Sequence, residues 1–185
     1  MSKAIVFIAD GTEEVECLTT VDLLRRAGVE TVLVSIMDSK TVISSHKVEI
    51  NADSVFVEEE LQDADLLFVP GGMPGTLKMS EHEGLERLLR AQAAKGKRVA
   101  AVCAGPSVLG KAGLLKGKKA TCFPGWEDKL DCGEYTGEGV VTDGLITTGR
   151  GLGFSIELGR ELIRLLEGEE TALDMKKRIQ HPESV

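Results

Sequence analysis

The sequence predicts an α/β fold: a flavodoxin-like three-layer α/β/α sandwich around a mostly parallel sheet, with a cysteine nucleophile elbow. Three observations carry this expectation. Short apolar runs alternate with amphipathic segments of helical period, the pattern of successive βαβ units. The runs are apolar on both faces, as strands covered by helices on both sides must be. One of them, Val99-Ala100-Ala101-Val102, passes at once into Cys103-Ala104-Gly105-Pro106, and Pro106 suits the first turn of a helix because no N–H partner is needed there.

The elements follow in chain order. Lys3 to Ala9 reads as the first strand. The loop Asp10-Gly11-Thr12-Glu13-Glu14-Val15-Glu16 leads into a helix through Ala27, with Leu18, Val21 and Leu24 as its apolar stripe, Val15 as a further candidate, and Gly28 as its C′ glycine. Val29 to Ile36 is a second buried strand, so the connection is right-handed and the sheet parallel. Thr41 to Asn51 alternates weakly, as a small antiparallel hairpin does, and the acidic Asp53 to Asp63 reads as a loop with one helical turn.

Asp65 to Val69 is another buried strand, ending in Pro70-Gly71-Gly72-Met73-Pro74-Gly75, too rich in Gly and Pro for helix or strand. Ser80 with Glu83 reads as a capping box that opens a helix to about Lys95, with Leu85, Leu88 and Leu89 on one face and Gly96 at its end. After the strand and elbow at Cys103, Gly113 to Gly125 is a connection with a short strand at Lys119 to Cys122, and Trp126 to Cys132 reads as a short helix. Asp143-Gly144, between Val140-Val141-Thr142 and Leu145-Ile146-Thr147-Thr148, predicts a type I′ hairpin. Gly149 to Gly153 is a second glycine loop. Phe154 to Glu167 and Glu169 to about Ile179 read as helices separated by Gly168, and the tail His181 to Val185 as frayed.

At 185 residues the chain is long enough to bury one core, and one domain over residues 1–185 is expected. A formal net charge of −8 argues against nucleic-acid binding and reads simply as solubility. No apolar run has the length of a membrane span. The N-terminal apolar run is too short for a signal peptide, and Asp10-Gly11-Thr12-Glu13-Glu14 does not suit a cleavage region, so a cytoplasmic location is expected. The four cysteines (Cys17, Cys103, Cys122, Cys132) contain no C-x-x-C pair, and His46, His82 and His181 show no ligand spacing. Structural zinc is not expected on that basis, nor are disulfides in a chain without an export signal; no other metal and no cofactor is expected.

Taken alone, Cys103 has two readings. It is a small buried hydrophobe after a strand, or it is a nucleophile on a strand-to-helix turn, where small neighbours admit a close approach and a helix N-terminus favours thiolate. In an open α/β sheet, sites gather at the carboxyl ends of the strands. Three segments converge there: the acidic loop after the first strand, Pro70-Gly71-Gly72, and Cys103.

In order and spacing, Gly11-Thr12-Glu13-Glu14-Val15-Glu16, Val69-Pro70-Gly71-Gly72, Ala101-Val102-Cys103-Ala104-Gly105-Pro106 and Thr148-Gly149-Arg150-Gly151 resemble the ThiJ/PfpI superfamily, in the branch of the parkinsonism-associated deglycase and its bacterial relatives. The resemblance covers nearly the whole chain. It implies that Cys103 is the reactive cysteine, that Glu16 hydrogen-bonds its sulfur, and that the N–H groups of Gly72 and Ala104 form an oxyanion hole. It places Gly71, Gly105, Phe123, Arg150 and His46 around that site as candidate lining residues. Glu16 beside a thiolate is expected to keep its proton, since two anions that close repel, and a neutral Glu16 can donate to sulfur or move a proton between carbons.

The companions carry plainer readings. Glu13 and Glu14 read as first-turn acids favoured by the helix dipole. Arg150 reads equally as a structural partner of a carboxylate or as a site contact, and Cys17, Cys122 and Cys132 as inert thiols. Many members of the wider superfamily carry a histidine after the elbow; here that position is Phe123 in Thr121-Cys122-Phe123-Pro124. Without a general-base histidine, amide hydrolysis is poorly supported, whereas an aldehyde is electrophilic already.

The resemblance therefore implies a cysteine-dependent stress-response protein, a cofactor-independent glyoxalase or deglycase whose partner is a small aldehyde or methylglyoxal-type dicarbonyl. The alternative is a redox sensor or chaperone-like protein whose Cys103 is oxidised to sulfinic acid. It also implies a homodimer that packs the first helix against its mate, with Val15 and Arg25-Arg26 near the two-fold axis.

Overall fold

A computed structural model describes residues 1–182. The strands are β1 (Lys3–Ile8), β2 (Glu30–Ser35), β3 (Thr41–Ile43), β4 (Glu49–Asn51), β5 (Ser54–Val55), β6 (Leu66–Val69), β7 (Arg98–Val102), β8 (Lys119–Ala120), β9 (Glu134–Tyr135), β10 (Val140–Asp143) and β11 (Ile146–Gly149). The helices are α1 (Glu14–Arg26), α2 (Gly75–Glu81), α3 (Glu83–Ala94), α4 (Pro106–Lys111), α5 (Ser155–Glu167) and α6 (Glu169–Arg178). Among the described residues, seven strands form the main sheet in the order β10-β11-β7-β6-β1-β2-β5, and only its β10–β11 pair is antiparallel.

The period of two along each strand divides the core into two layers. Ala4, Val6, Ile8, Leu66, Phe68, Ala100 and Val102 face α1, α5 and α6, where Val21, Leu24, Leu158, Leu162 and Met175 close one core. The alternate residues Ile5, Phe7, Leu67, Val69, Val99 and Ala101 pack with Met79, Leu85, Leu88, Leu89 and Leu109 on the other side. This is the expected three-layer sandwich. Chain order reverses between β1 and β6, so the crevice at their carboxyl ends is the topological switch point, and β1, β6 and β7 open onto it.

Several local expectations change. Helix α1 starts at Glu14 and not after Glu16, because the Glu13 carboxylate caps it by accepting the Glu16 N–H at 2.7 Å. Its buried stripe is Cys17, Val21 and Leu24, while Leu18 and Val15 stay 39% and 43% exposed. The i, i+4, i+7 spacing of the former holds one face at 3.6 residues per turn, whereas a spacing of three drifts off it. Ser80 caps nothing: it lies inside α2, which was not expected, and α3 is capped by His82, whose Nδ1 accepts the Leu85 N–H at 2.9 Å. Asp143 pairs with Ile146, so the hairpin loop is Gly144-Leu145. Positive φ occurs at Gly144 (63°) and not at Leu145, which makes the turn type II′. The acidic segment supplies the two-residue edge strand β5 besides its expected helical turn, and Trp126 to Cys132 holds only a 3-10 turn over Glu127–Lys129. The expected fraying of the tail from residue 183 onward lies outside the described residues.

Candidate functional site

Cys103 leaves β7 with φ at 63°, the left-handed region that few non-glycine residues adopt, and this is the strained turn of a nucleophile elbow. Two backbone bonds hold it there: its N–H donates to the Gly149 carbonyl at 3.0 Å, and its carbonyl accepts the Phe123 N–H at 2.9 Å. Gly105 lets the turn close, since a Cβ there would stand 2.5 Å from the Val69 carbonyl oxygen. Pro106 occupies the first turn of α4, as expected.

Glu16, in the first turn of α1, is 1% exposed. Its side chain hydrogen-bonds the Cys103 thiol, Gly71 N–H donates to its Oε2 at 3.1 Å, and Leu152 N–H reaches the same carboxyl. Gly71 lies between the two side chains so closely that a Cβ on it would be 2.6 Å from both Cys103 Cβ and Glu16 Oε2, and 3.1 Å from Sγ. Gly72 has φ at 93°, and a Cβ there would sit 2.2 Å from the Glu13 nitrogen. The backbone N–H groups of Gly72 and Ala104 both point at the Cys103 sulfur.

Burial raises both acids. Glu16 is pushed up to about 7, with the Glu13 carboxylate adding to the effect and the hydrogen bonds from Cys103, Gly71 and Leu152 opposing it. Cys103 is pushed up to about 12 by burial first and the Glu16 carboxylate second, against the donors Ala104 and Gly72. This corrects the expectation that the helix N-terminus alone lowers the thiol: desolvation and the neighbouring acid outweigh it. As one unit, the pair gives up its first proton near 7 and holds the second to about 12.

The remaining candidates have partners of their own. Phe123 is half-exposed, with its ring against Gly151, where a Cβ would be 3.3 Å from Cδ2. Arg150 donates from its backbone to Gly139 and from its guanidinium to Gly137 at 3.2 Å, so it braces the neighbouring loop. His46 reaches the Glu14 carboxylate at 3.0 Å and Glu13 at 4.0 Å. Among the described residues, these three bring one ligand atom each within 4.8 Å of one another, a grouping invisible in the linear spacing of the histidines. Glu13 already caps Glu16, and Glu14 accepts from the Ser45 hydroxyl. Cys17 and Cys122 are fully buried, and burial raises both thiols, Cys122 to about 12. Leu152 escaped notice in the sequence because it acts through its backbone; the glycines flanking it were the available signal.

A helix-covered, mostly parallel sheet that presents a buried carboxyl and two backbone donors to a cysteine on a left-handed elbow defines a cysteine-elbow α/β protein. Within that class the chain belongs to the DJ-1/PfpI family, whose model matches residues 2–165. It is 37% identical over 95% of its length to protein DJ-1 homolog B of Arabidopsis thaliana, spanning 40% of that longer relative. It is 29% identical to the glutathione-independent glyoxalase DJR-1.2 of Caenorhabditis elegans, over 95% of this chain and 94% of the other. The oxidised DJ-1 of Toxoplasma gondii superimposes with a TM-score of 0.90 at 33% identity, covering 97% of this chain and 98% of that one. Among the described residues no helix is long and apolar enough to cross a membrane.

Proposed function

We propose that this protein is a cofactor-independent glyoxalase that converts methylglyoxal-type dicarbonyls to hydroxyacids through Cys103 and Glu16. The observation that carries the proposal is the pair itself: a buried carboxyl hydrogen-bonded to a cysteine whose sulfur already faces two backbone donors. The name of the nematode relative supports the same chemistry.

The reacting form has the single proton of the pair on Glu16 and the charge on sulfur. The thiolate adds to the aldehyde carbon, and the C=O electrons move to oxygen, where the Gly72 and Ala104 N–H groups meet the new charge. Glu16 protonates that oxygen and becomes a carboxylate. As a base it then removes the proton on the same carbon, the electrons passing to the neighbouring carbonyl oxygen to give an enediolate; it returns that proton to the neighbouring carbon, and the hydroxyl proton passes from the first oxygen to the second. The product is a thioester of a hydroxyacid. Water cleaves it, restoring the cysteine and releasing the hydroxyacid. Methylglyoxal plus water thus gives lactate by internal oxidation and reduction, with no external redox partner. Removal of early glycation adducts is the same chemistry or its consequence. Peptide hydrolysis is disfavoured, because the position after the elbow that would supply an imidazole is Phe123.

A second role, redox sensing, is favoured by one observation: the same two donors that would hold an alkoxide would hold a sulfinate oxygen on Cys103. Lactate formation from methylglyoxal without glutathione, for wild type beside Cys103→Ser, tests the enzyme. Turnover that vanishes in the variant supports it. Equal background in both rejects it, and peroxide-driven sulfinate at Cys103, read by mass spectrometry, then remains as the role.

A further inference from the structure

Phe123, Pro124, Gly151, Leu152, Gly153 and Phe154 wall a cavity of about 300 Å³ that also touches Arg150. This is the lower end of the size range of small-molecule pockets. Its walls are almost wholly apolar, and three large side chains stay open to it: Phe123 is 49% exposed, Leu152 48% and Phe154 37%. Three neighbouring apolar side chains in one concave wall offer an apolar group a dry seat.

The cavity is tied to the reactive pair at two points. The Phe123 N–H donates to the Cys103 carbonyl at 2.9 Å. The Leu152 N–H reaches the Glu16 carboxyl. Each wall segment thus meets one member of the pair through its backbone, although neither Cys103 nor Glu16 itself lines the cavity. Gly151 keeps the cavity open: it presses on the Phe123 ring with no side chain, and a Cβ there would already stand 3.3 Å from that ring. The one charged lining residue, Arg150, is engaged with the Gly137 carbonyl. Nothing in the lining demands a polar substituent.

We infer that the preferred substrates are α-oxoaldehydes with an apolar tail, aryl or branched alkyl, seated against Phe123, Leu152 and Phe154, with Phe123 as the specificity-determining residue. This rests on the glyoxalase reading above. A methyl group leaves these three side chains wet, whereas a phenyl group covers them. One methylene in an apolar pocket changes specificity by about 10-fold or more, and a phenyl ring exceeds that difference.

The experiment measures kcat/KM for phenylglyoxal and for methylglyoxal with wild type, Phe123→Ala and Leu152→Ser. Because the intrinsic reactivities of the two aldehydes cancel between variants, the quantity read is the change in their ratio. A fall in the phenylglyoxal preference of about 10-fold in Phe123→Ala, with a smaller fall in Leu152→Ser, is expected. The same proteins are alkylated at Cys103 with N-phenyl and N-methyl iodoacetamide, a readout that needs no turnover. If methylglyoxal is consumed but the ratio is the same in all three proteins, the apolar-tail inference is wrong and the glyoxalase stands. If neither dicarbonyl is consumed yet the N-phenyl preference in alkylation drops in Phe123→Ala, the apolar subsite stands and the glyoxalase falls. Loss of neither preference in either assay overturns the subsite.

Discussion

Replacing Glu16 by Gln removes a carboxyl whose proton the fold retains. The folded value of about 7 lies above the ordinary 4.5, because burial opposes the charge. The native state therefore binds this proton more tightly than the unfolded chain. Its stabilising contribution is complete below about 4.5 and is lost as pH rises through about 7. At about 1.4 kcal/mol per pH unit, the full effect is on the order of 3 kcal/mol, and about 2–3 kcal/mol of it disappears between pH 5 and pH 8. The second proton of the pair leaves far above this window, at about 12, and does not contribute to the slope. Gln is neutral throughout and keeps an oxygen for the Gly71 N–H. The unfolding free energy of Glu16→Gln minus that of wild type should thus increase by about 2–3 kcal/mol from pH 5 to pH 8. Urea unfolding followed by the fluorescence of the single tryptophan, Trp126, measures it, with equal m-values as the check that the unfolded states match. A difference constant to within about 0.5 kcal/mol across that range would show that Glu16 is not held protonated by burial, and the proposed proton shuttle would lose its basis.

Further outcomes are expected. Limiting iodoacetamide should label Cys103 well ahead of the fully buried Cys17 and Cys122, with a rate that rises through about pH 7 as the pair gives up its first proton; comparable labelling of all four thiols in the folded state would remove the case for a special site. Gly71→Ala places a methyl 2.6 Å from both Cys103 Cβ and Glu16 Oε2, so it should cost about 1–3 kcal/mol of stability and slow Cys103 alkylation about 10-fold or more. Glu16→Gln should still allow peroxide to form sulfinate at Cys103 but lose lactate production on the order of 100-fold; wild-type turnover would make Glu16 a structural partner only. Val15 and Leu18, i and i+3 on α1, leave an apolar patch with Ile156 of α5, each 39–43% exposed. Sedimentation at micromolar concentration should show a dimer that Val15→Lys dissociates, and a wild-type monomer would refute this.

Much of the site was legible in the linear chain because its signals are local. Cys103, Ala104, Gly105 and Pro106 are consecutive, and a strand run into a proline-led helix leaves the cysteine only a sharp turn. The glycines at 71 and 72 announce close backbone approach, and the structure shows what approaches: the thiol and carboxyl at one, the Glu13 backbone at the other. Helix faces were less legible. Leu18 was preferred to Cys17 on side-chain type, but rotation at 3.6 residues per turn decides which of two neighbours is buried. The Ser80 cap failed for a related reason: the loop after β6 folds into α2, and His82 is the residue that meets the α3 terminus.

What the sequence by itself determined was the layered α/β architecture and the elbow, with the candidate residues at its rim, since periodicity, Pro and Gly act over a few positions. Tertiary structure alone decided the electrostatics and the surroundings. The thiol is raised and not lowered, because Glu16 arrives from 87 positions away and burial is a property of the packed whole. His46 meets Glu13 and Glu14 across a hairpin, and Leu152 brings its N–H to Glu16 from the last glycine loop. Desolvation and charge pairing depend on distance in space, and distance in space is set only when the sheet closes the crevice between β1 and β6.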